Sequence, residues 1–90
     1  MYSKTVTVKN PSGLHARPAS DFVAAAGKYK GIKLKVGREG DPQAVNAKSI
    51  VMVLSLGVIQ GEAITISSDS DDGLPAVDEL AALVESGFGE

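Results

Sequence analysis

The chain has 90 residues, a net charge of −2 and no cysteine, which fits one domain over residues 1–90 and excludes disulfides and thiolate metal sites. Its basic residues are scattered among acids, without a basic patch carrying interleaved aromatic residues, so we expect no direct binding to nucleic acid. No apolar run is long enough to span a bilayer, and none follows Met1 to Lys4, so we expect a cytoplasmic protein without membrane insertion.

The first part of the chain predicts a strand and then a helix. Residues 2–9 alternate apolar and polar side chains, and the turn residues 10–13 end this strand. From Ala16 the apolar spacing becomes helical, and Gly27 or Gly31 closes the helix. The side chains on its inner face are Ala19, Phe22, Val23 and Ala26.

A hairpin is predicted next. Residues 32–36 alternate apolar side chains with lysines, which indicates a half-buried strand with a basic outer face. A turn over Gly37 to Pro42 and a short strand over Gln43 to Asn46 complete the hairpin.

Residues 49–57 support two interpretations. Their β-branched side chains favour a strand, whereas Ser49 as an N-cap and Gly57 just past the end favour a short helix. Local physics leaves both open.

The last part predicts a strand over residues 62–68 and a helix that Pro75 opens and Gly87 ends. We place Asp78 and Glu79 early in this helix, where the dipole favours acids. Read with a helix at residues 49–57, the order βαββαβα predicts an α+β fold. This is a two-layer open-faced sandwich, with a four-stranded antiparallel sheet and three helices on one face.

The only histidine, His15, stands where a turn gives way to the first helix. A helix start leaves N–H groups without partners and favours a negatively charged group. Arg17 adds a permanent cation, and neutral imidazole is a competent nucleophile. We therefore predict that His15 carries a phosphoryl group. The alternatives are an ordinary exposed helix cap at His15 and a solvated charge at Arg17.

Three segments closely resemble the HPr family, the histidine-containing phosphocarriers of the bacterial phosphoenolpyruvate-dependent sugar phosphotransferase system. These are residues 13–19, 46–50 and 55–57, and the resemblance covers the whole chain. It implies that enzyme I phosphorylates His15 using phosphoenolpyruvate and that enzyme IIA domains of sugar transporters receive the group. It also implies a carrier that catalyses nothing unaided and needs no cofactor, and it implies that residues 49–57 form the short helix despite their β propensity.

Further site roles follow from combining the resemblance with helix-end physics. With His15 as the N-cap, a phosphoryl group on its Nδ1 would receive the backbone N–H groups of Ala16 and Arg17, and the Arg17 fork would stabilise the phosphate. The resemblance implies that an ATP-dependent HPr kinase/phosphorylase phosphorylates Ser49, and that this form can bind a catabolite-control transcription factor. A plain helix cap is the alternative for Ser49.

Partner docking is expected on apolar faces beside His15, although several of these side chains are also compatible with a core position. The docking residues are Ala16, Ser20, Ile50, Val51 and Leu54. Relatives commonly carry Met-Gly where this chain has Val51-Met52. The turn from Arg38 to Pro42 is also longer than in typical members, and we expect it to be a solvent-exposed insertion without function.

Two other functions are compatible with these residues. A signalling protein of the same fold would still use His15, whereas a simple binding module would use it structurally. The acidic loop that starts at Ser68 fails as a calcium site because serines stand where the EF-hand needs carboxylates, so no metal is expected. No feature points to an obligate oligomer, and we expect a monomer.

Overall fold

The strands lie where the sequence alternates, in a computed structural model that describes residues 2–89. They are β1 (Tyr2–Thr7), β2 (Leu34–Arg38), β3 (Val45–Asn46) and β4 (Ala63–Ser68). All neighbours pair antiparallel in the order β1-β4-β2-β3. The predicted antiparallel sheet and the short returning strand are therefore confirmed.

The two faces of the sheet differ in character. Val6 pairs with Ile64 across β1 and β4, and both side chains are buried against the helices. One residue earlier, Thr5 pairs with Thr65 on the opposite face, where their hydroxyls are 2.9 Å apart and exposed. The sheet is thus covered on one side only, because the side-chain period of a strand is two.

Three helices cover the apolar face: α1 (Ala16–Gly27), α2 (Ile50–Ser55) and α3 (Leu74–Glu85). The helical interpretation of residues 49–57 is confirmed. A 3-10 turn over Asp71–Gly73 leads into α3. The largest fully buried side chains are Phe22, Leu14, Leu34, Ile64, Ile66 and Leu80. None of the helices within residues 2–89 has the length and apolar character needed to cross a membrane.

Two local expectations are wrong. Gly37 and Arg38 belong to β2 and not to a turn, and Gly37 is buried because the following loop folds back over it. A Cβ on Gly37 would lie 2.8 Å from the Gln43 carbonyl oxygen. The stretch from Arg38 to Pro42 is therefore not wholly exposed, since Arg38 is half-buried and hydrogen-bonded.

The acids of α3 also serve a different purpose from the predicted one. Neither lies in the first turn of α3, where the helix dipole acts. Asp78 accepts a hydrogen bond from the Tyr2 hydroxyl at 2.9 Å, and Glu79 accepts one from Tyr29 and pairs with Lys28. These contacts fasten α3 to β1 and to the end of α1.

Candidate functional site

The loop before α1 is fixed by backbone contacts on both sides of its turn. Gly13 has a φ of +65°, and its carbonyl accepts a hydrogen bond from the Asn10 side-chain amide at 2.8 Å. The Leu14 N–H donates to the Val58 carbonyl at 3.0 Å, and the Leu14 side chain is fully buried. The chain is therefore held in place immediately before His15.

His15 is the N-cap of α1, as predicted. Its backbone is extended, with φ −132° and ψ 163°, and its side chain makes no hydrogen bond into the helix. The residue is half-buried, and within residues 2–89 its ring has no hydrogen-bond partner. Its nitrogens are thus available for a reaction, although the backbone that carries it is fixed.

Ala16 departs from the expected helix start. Its φ of +52° is left-handed, a conformation that costs a residue other than glycine about 1–2 kcal/mol. Within the described chain, the N–H groups of Ala16 and Arg17 have no hydrogen-bond acceptor. Such unpaired donors at a helix start favour an anion, and local strain of this kind is concentrated at functional sites.

Arg17 is exposed and forms no ion pair within residues 2–89. It lines a cleft together with Pro18, Asp21, Phe88 and Gly89. Phe88 lies in a short turn after α3 and has a left-handed φ of +55°. Sequence reasoning missed this neighbour, because nothing local links Arg17 to a residue more than seventy positions away.

Ser49 caps α2, which confirms its structural role. Its hydroxyl oxygen accepts a hydrogen bond from the Met52 N–H at 3.4 Å, and its carbonyl accepts one from Val53 at 3.0 Å. The residue is half-buried. A serine here is therefore both a helix cap and partly open to solvent.

The expected docking residues are all exposed. Ile50, Val51 and Leu54 of α2 retain 37, 70 and 40% of their accessible surface, while Val53 alone of the helix is buried. Ala16 and Ser20 are exposed on α1. These are surface residues and not core. Sequence reasoning did not include two further exposed apolar side chains, Met52 and Ile59.

The acidic loop does not form a metal site within the described residues 2–89, where no three histidine or carboxylate side chains lie close enough to hold an ion. Its residues Asp71 and Asp72 instead form the 3-10 turn that enters α3.

Comparison with known sequences gives one family. The sequence model described as "PTS HPr component phosphorylation site" matches residues 2–86. The "Phosphocarrier protein HPr" of Streptomyces coelicolor is 41% identical over 90 residues, which cover 100% of this chain and 95% of that protein. The "Multiphosphoryl transfer protein" of Vibrio cholerae is 35% identical over 89 residues, which cover 99% of this chain. The chain spans only 22% of that longer relative.

Solved structures agree with this result. The crystal structure described as "HPr-C-His from Thermoanaerobacter tengcongensis" is similar at a TM-score of 0.89 and 46% identity, covering 100% of this chain and 98% of that one. The HPr structure from Bacillus anthracis gives a TM-score of 0.82 at 37% identity, covering 92% of this chain and 95% of that one. The sequence match along nearly the whole chain and the shared fold show that this chain belongs to the HPr family of the phosphotransferase system.

Proposed function

We propose that this protein is a phosphocarrier, which accepts a phosphoryl group on Nδ1 of His15 from phosphorylated enzyme I and passes it to enzyme IIA domains of sugar transporters. The observation that carries the proposal is the helix-cap imidazole of His15, which has no hydrogen-bond partner within residues 2–89 and stands beside two unpaired backbone N–H groups. Phosphoenolpyruvate is the original donor. The protein moves the group and catalyses nothing unaided.

The transfer is a displacement at phosphorus. The lone pair on Nδ1 of neutral His15 forms the new P–N bond, while the bond from phosphorus to the donor breaks and its electron pair leaves with the donor. The unpaired N–H groups of Ala16 and Arg17 would donate hydrogen bonds to the charged phosphate oxygens. Handing the group on is the same step in reverse, with the acceptor of the IIA domain as nucleophile.

Arg17 supplies a mobile cation for this step. Its guanidinium can bind two phosphate oxygens through its fork, and its exposure leaves it free to contact acids of a partner. Because it has no ion pair within the described residues, no internal contact has to be broken first. The exposed residues Ala16, Ser20, Ile50, Val51 and Leu54 form the docking surface for both partners.

The direct test combines the protein with enzyme I and phosphoenolpyruvate and measures its intact mass. We expect one phosphoryl group on the wild type, lost in mild acid as a phosphohistidine is. His15→Ala should gain none and should melt like the wild type, because the ring makes no hydrogen bond in the described fold. Absence of the adduct on the folded wild type would refute the proposal.

Ser49 is the proposed regulatory site, phosphorylated by an HPr kinase/phosphorylase, and the modified form is proposed to bind a catabolite-control transcription factor. A phosphate here would add about two negative charges beside the exposed apolar side chains of Ile50 and Val51. The added charge would need desolvation on docking, so phosphorylation by enzyme I should slow.

The test is Ser49→Asp, which should lower the rate of His15 phosphorylation. Ser55→Asp is the matched control, because it adds the same charge at the other end of α2. Equal rates for both variants and the wild type would exclude regulation by charge at this position.

We also propose that the protein acts as a cytoplasmic monomer. One solved structure at 46% identity and a TM-score of 0.73 is described as an "HPr dimer from Thermoanaerobacter tengcongensis". Light scattering after size exclusion should give the mass of one copy across a range of protein concentrations. A constant mass of two copies would correct this part of the proposal.

A further inference from the structure

Arg38 and Glu62 form an ion pair beside the loop that follows α2. The guanidinium binds the carboxylate through two nitrogens, with Nε to Oε2 at 2.9 Å and Nη2 to Oε1 at 3.2 Å. This is the forked geometry that an arginine forms with a carboxylate and that a lysine cannot reproduce. The Arg38 contact also lowers the pKa of Glu62, with a second contribution from the Ile59 N–H.

The pair also binds two backbone groups of the loop that follows α2. Nη2 of Arg38 donates to the Gly57 carbonyl at 2.9 Å, and Oε1 of Glu62 accepts from the Ile59 N–H at 2.9 Å. The residue between these two contacts is Val58. Two neighbours of Val58 in the chain are therefore fixed by the same ion pair.

Val58 connects this arrangement to the phosphorylation loop. Its carbonyl accepts the hydrogen bond from the Leu14 N–H, one residue before His15. The two segments of the chain approach so closely that a Cβ on Gly13 would lie 2.5 Å from the Val58 carbonyl oxygen. A displacement of residues 57–59 would therefore move the support of His15 and the end of α2 together.

We propose that Arg38 and Glu62 are positioning residues, which fix where the reacting ring of His15 lies relative to the apolar docking residues of α2. The proposal rests on the phosphocarrier function, because only a partner that grips α2 while reacting with His15 is sensitive to this geometry. Both residues would act through the loop that follows α2 and not on the phosphoryl group itself. A misplacement of about 1 Å between bound and reacting groups can cost on the order of a hundredfold in rate.

The test measures steady-state phosphorylation by enzyme I, with this protein as the varied substrate. Glu62→Gln keeps the size of the side chain but replaces one carboxylate oxygen with an amide that faces the guanidinium. We expect kcat to fall about tenfold while KM changes less than about twofold. Arg38→Lys should give a smaller loss of kcat, because its ammonium retains the charge but cannot hold the carboxylate and the Gly57 carbonyl at once.

The division between kcat and KM separates positioning from stability. If a variant only unfolds in part, less substrate is present, so the apparent KM rises and kcat at saturation stays the same. Asp78→Asn is the control, because it breaks another ion pair, with Lys4, that lies between α3 and β1. It should leave kcat unchanged.

Hydrogen exchange gives a second readout that does not need enzyme I. In Glu62→Gln, the Leu14 amide should exchange about tenfold faster while the amides of the central strand β4 keep their wild-type rates. An unchanged Leu14 amide, or an unchanged kcat in both pair variants, would overturn the positioning role. A wild type that takes up no phosphoryl group would overturn the proposed function and this inference with it. If the wild type is phosphorylated normally and the pair variants behave like it, only the role of the ion pair is refuted.

Discussion

Gly13→Ala is expected to destabilise the fold by about 3 kcal/mol, because two separate penalties meet at this position. The φ of +65° is left-handed, which costs an alanine about 1–2 kcal/mol. The new Cβ would lie 2.5 Å from the Val58 oxygen and 2.8 Å from the Ile59 Cα, and overpacking of this kind costs about 1–3 kcal/mol. In a domain of this size, about 3 kcal/mol lowers Tm by about 12–24 °C.

Gly31→Ala separates the two penalties. Gly31 has a similar φ of +81°, but no atom lies within 4 Å of the place where its Cβ would be. The Gly31→Ala variant should therefore lose only about 1–2 kcal/mol of unfolding free energy, or about 4–16 °C in Tm. Thermal unfolding followed by circular dichroism measures both variants. Equal losses would refute the close contact between Gly13 and Val58, and with it the mechanical support of the His15 loop.

Three further predictions concern the site and its scaffold. Ser49→Ala should lower the free energy of unfolding by only about 0.5–1 kcal/mol, because the capping bond from the Met52 N–H is long at 3.4 Å. Thermal melts measure this loss, and an unchanged Tm would contradict the capping role. Arg17→Lys should slow phosphoryl transfer from enzyme I without a change in Tm, because the ammonium lacks the fork that binds phosphate; equal rates would remove the role of the fork. Hydrogen bonds from Lys28 and Tyr29 lower the pKa of Glu79, so its stabilisation is complete above the unfolded value of about 4.3 and is lost as pH falls through the lower folded pKa. Urea unfolding from about pH 6 to pH 3 should show a shallower acid decline for Glu79→Gln, and an identical decline would contradict the assigned cause.

The regular elements could be predicted because each one carries its own local signal. The alternation around Val6 and the helical spacing around Phe22 both end at turn residues, and both side chains are buried where the patterns place them. Residues 49–57 had two competing signals. The helix forms there although its β-branched residues favour a strand, because Ser49 caps it and Val53 has a place in the core.

Contacts between distant residues could not be predicted in the same way. The helix dipole predicts a place for Asp78 near the start of α3, but its hydrogen bond comes from Tyr2, 76 residues away in the sequence. Local sequence predicts an exposed turn without function at Arg38, but its partner Glu62 follows 24 residues later. Each charged side chain has many possible partners in the unfolded chain, and only the packed sheet and helices select one.

The site itself combines both kinds of information. The proposed nucleophile His15, the cation Arg17 and the helix start lie within three residues, so the sequence alone could suggest both residues. The left-handed backbone of Ala16 could not, since it is stable only where the surrounding contacts hold it. Hydrogen bonds at Gly13 and Leu14 supply those contacts and leave the imidazole without a partner among residues 2–89. A carrier needs this combination, because a fixed backbone presents the ring to two different partners while an unbonded ring can take up the group and release it. Substitutions that loosen the loop should therefore impair transfer even when His15 is intact, whereas loss of the ring should abolish transfer and leave the fold unchanged.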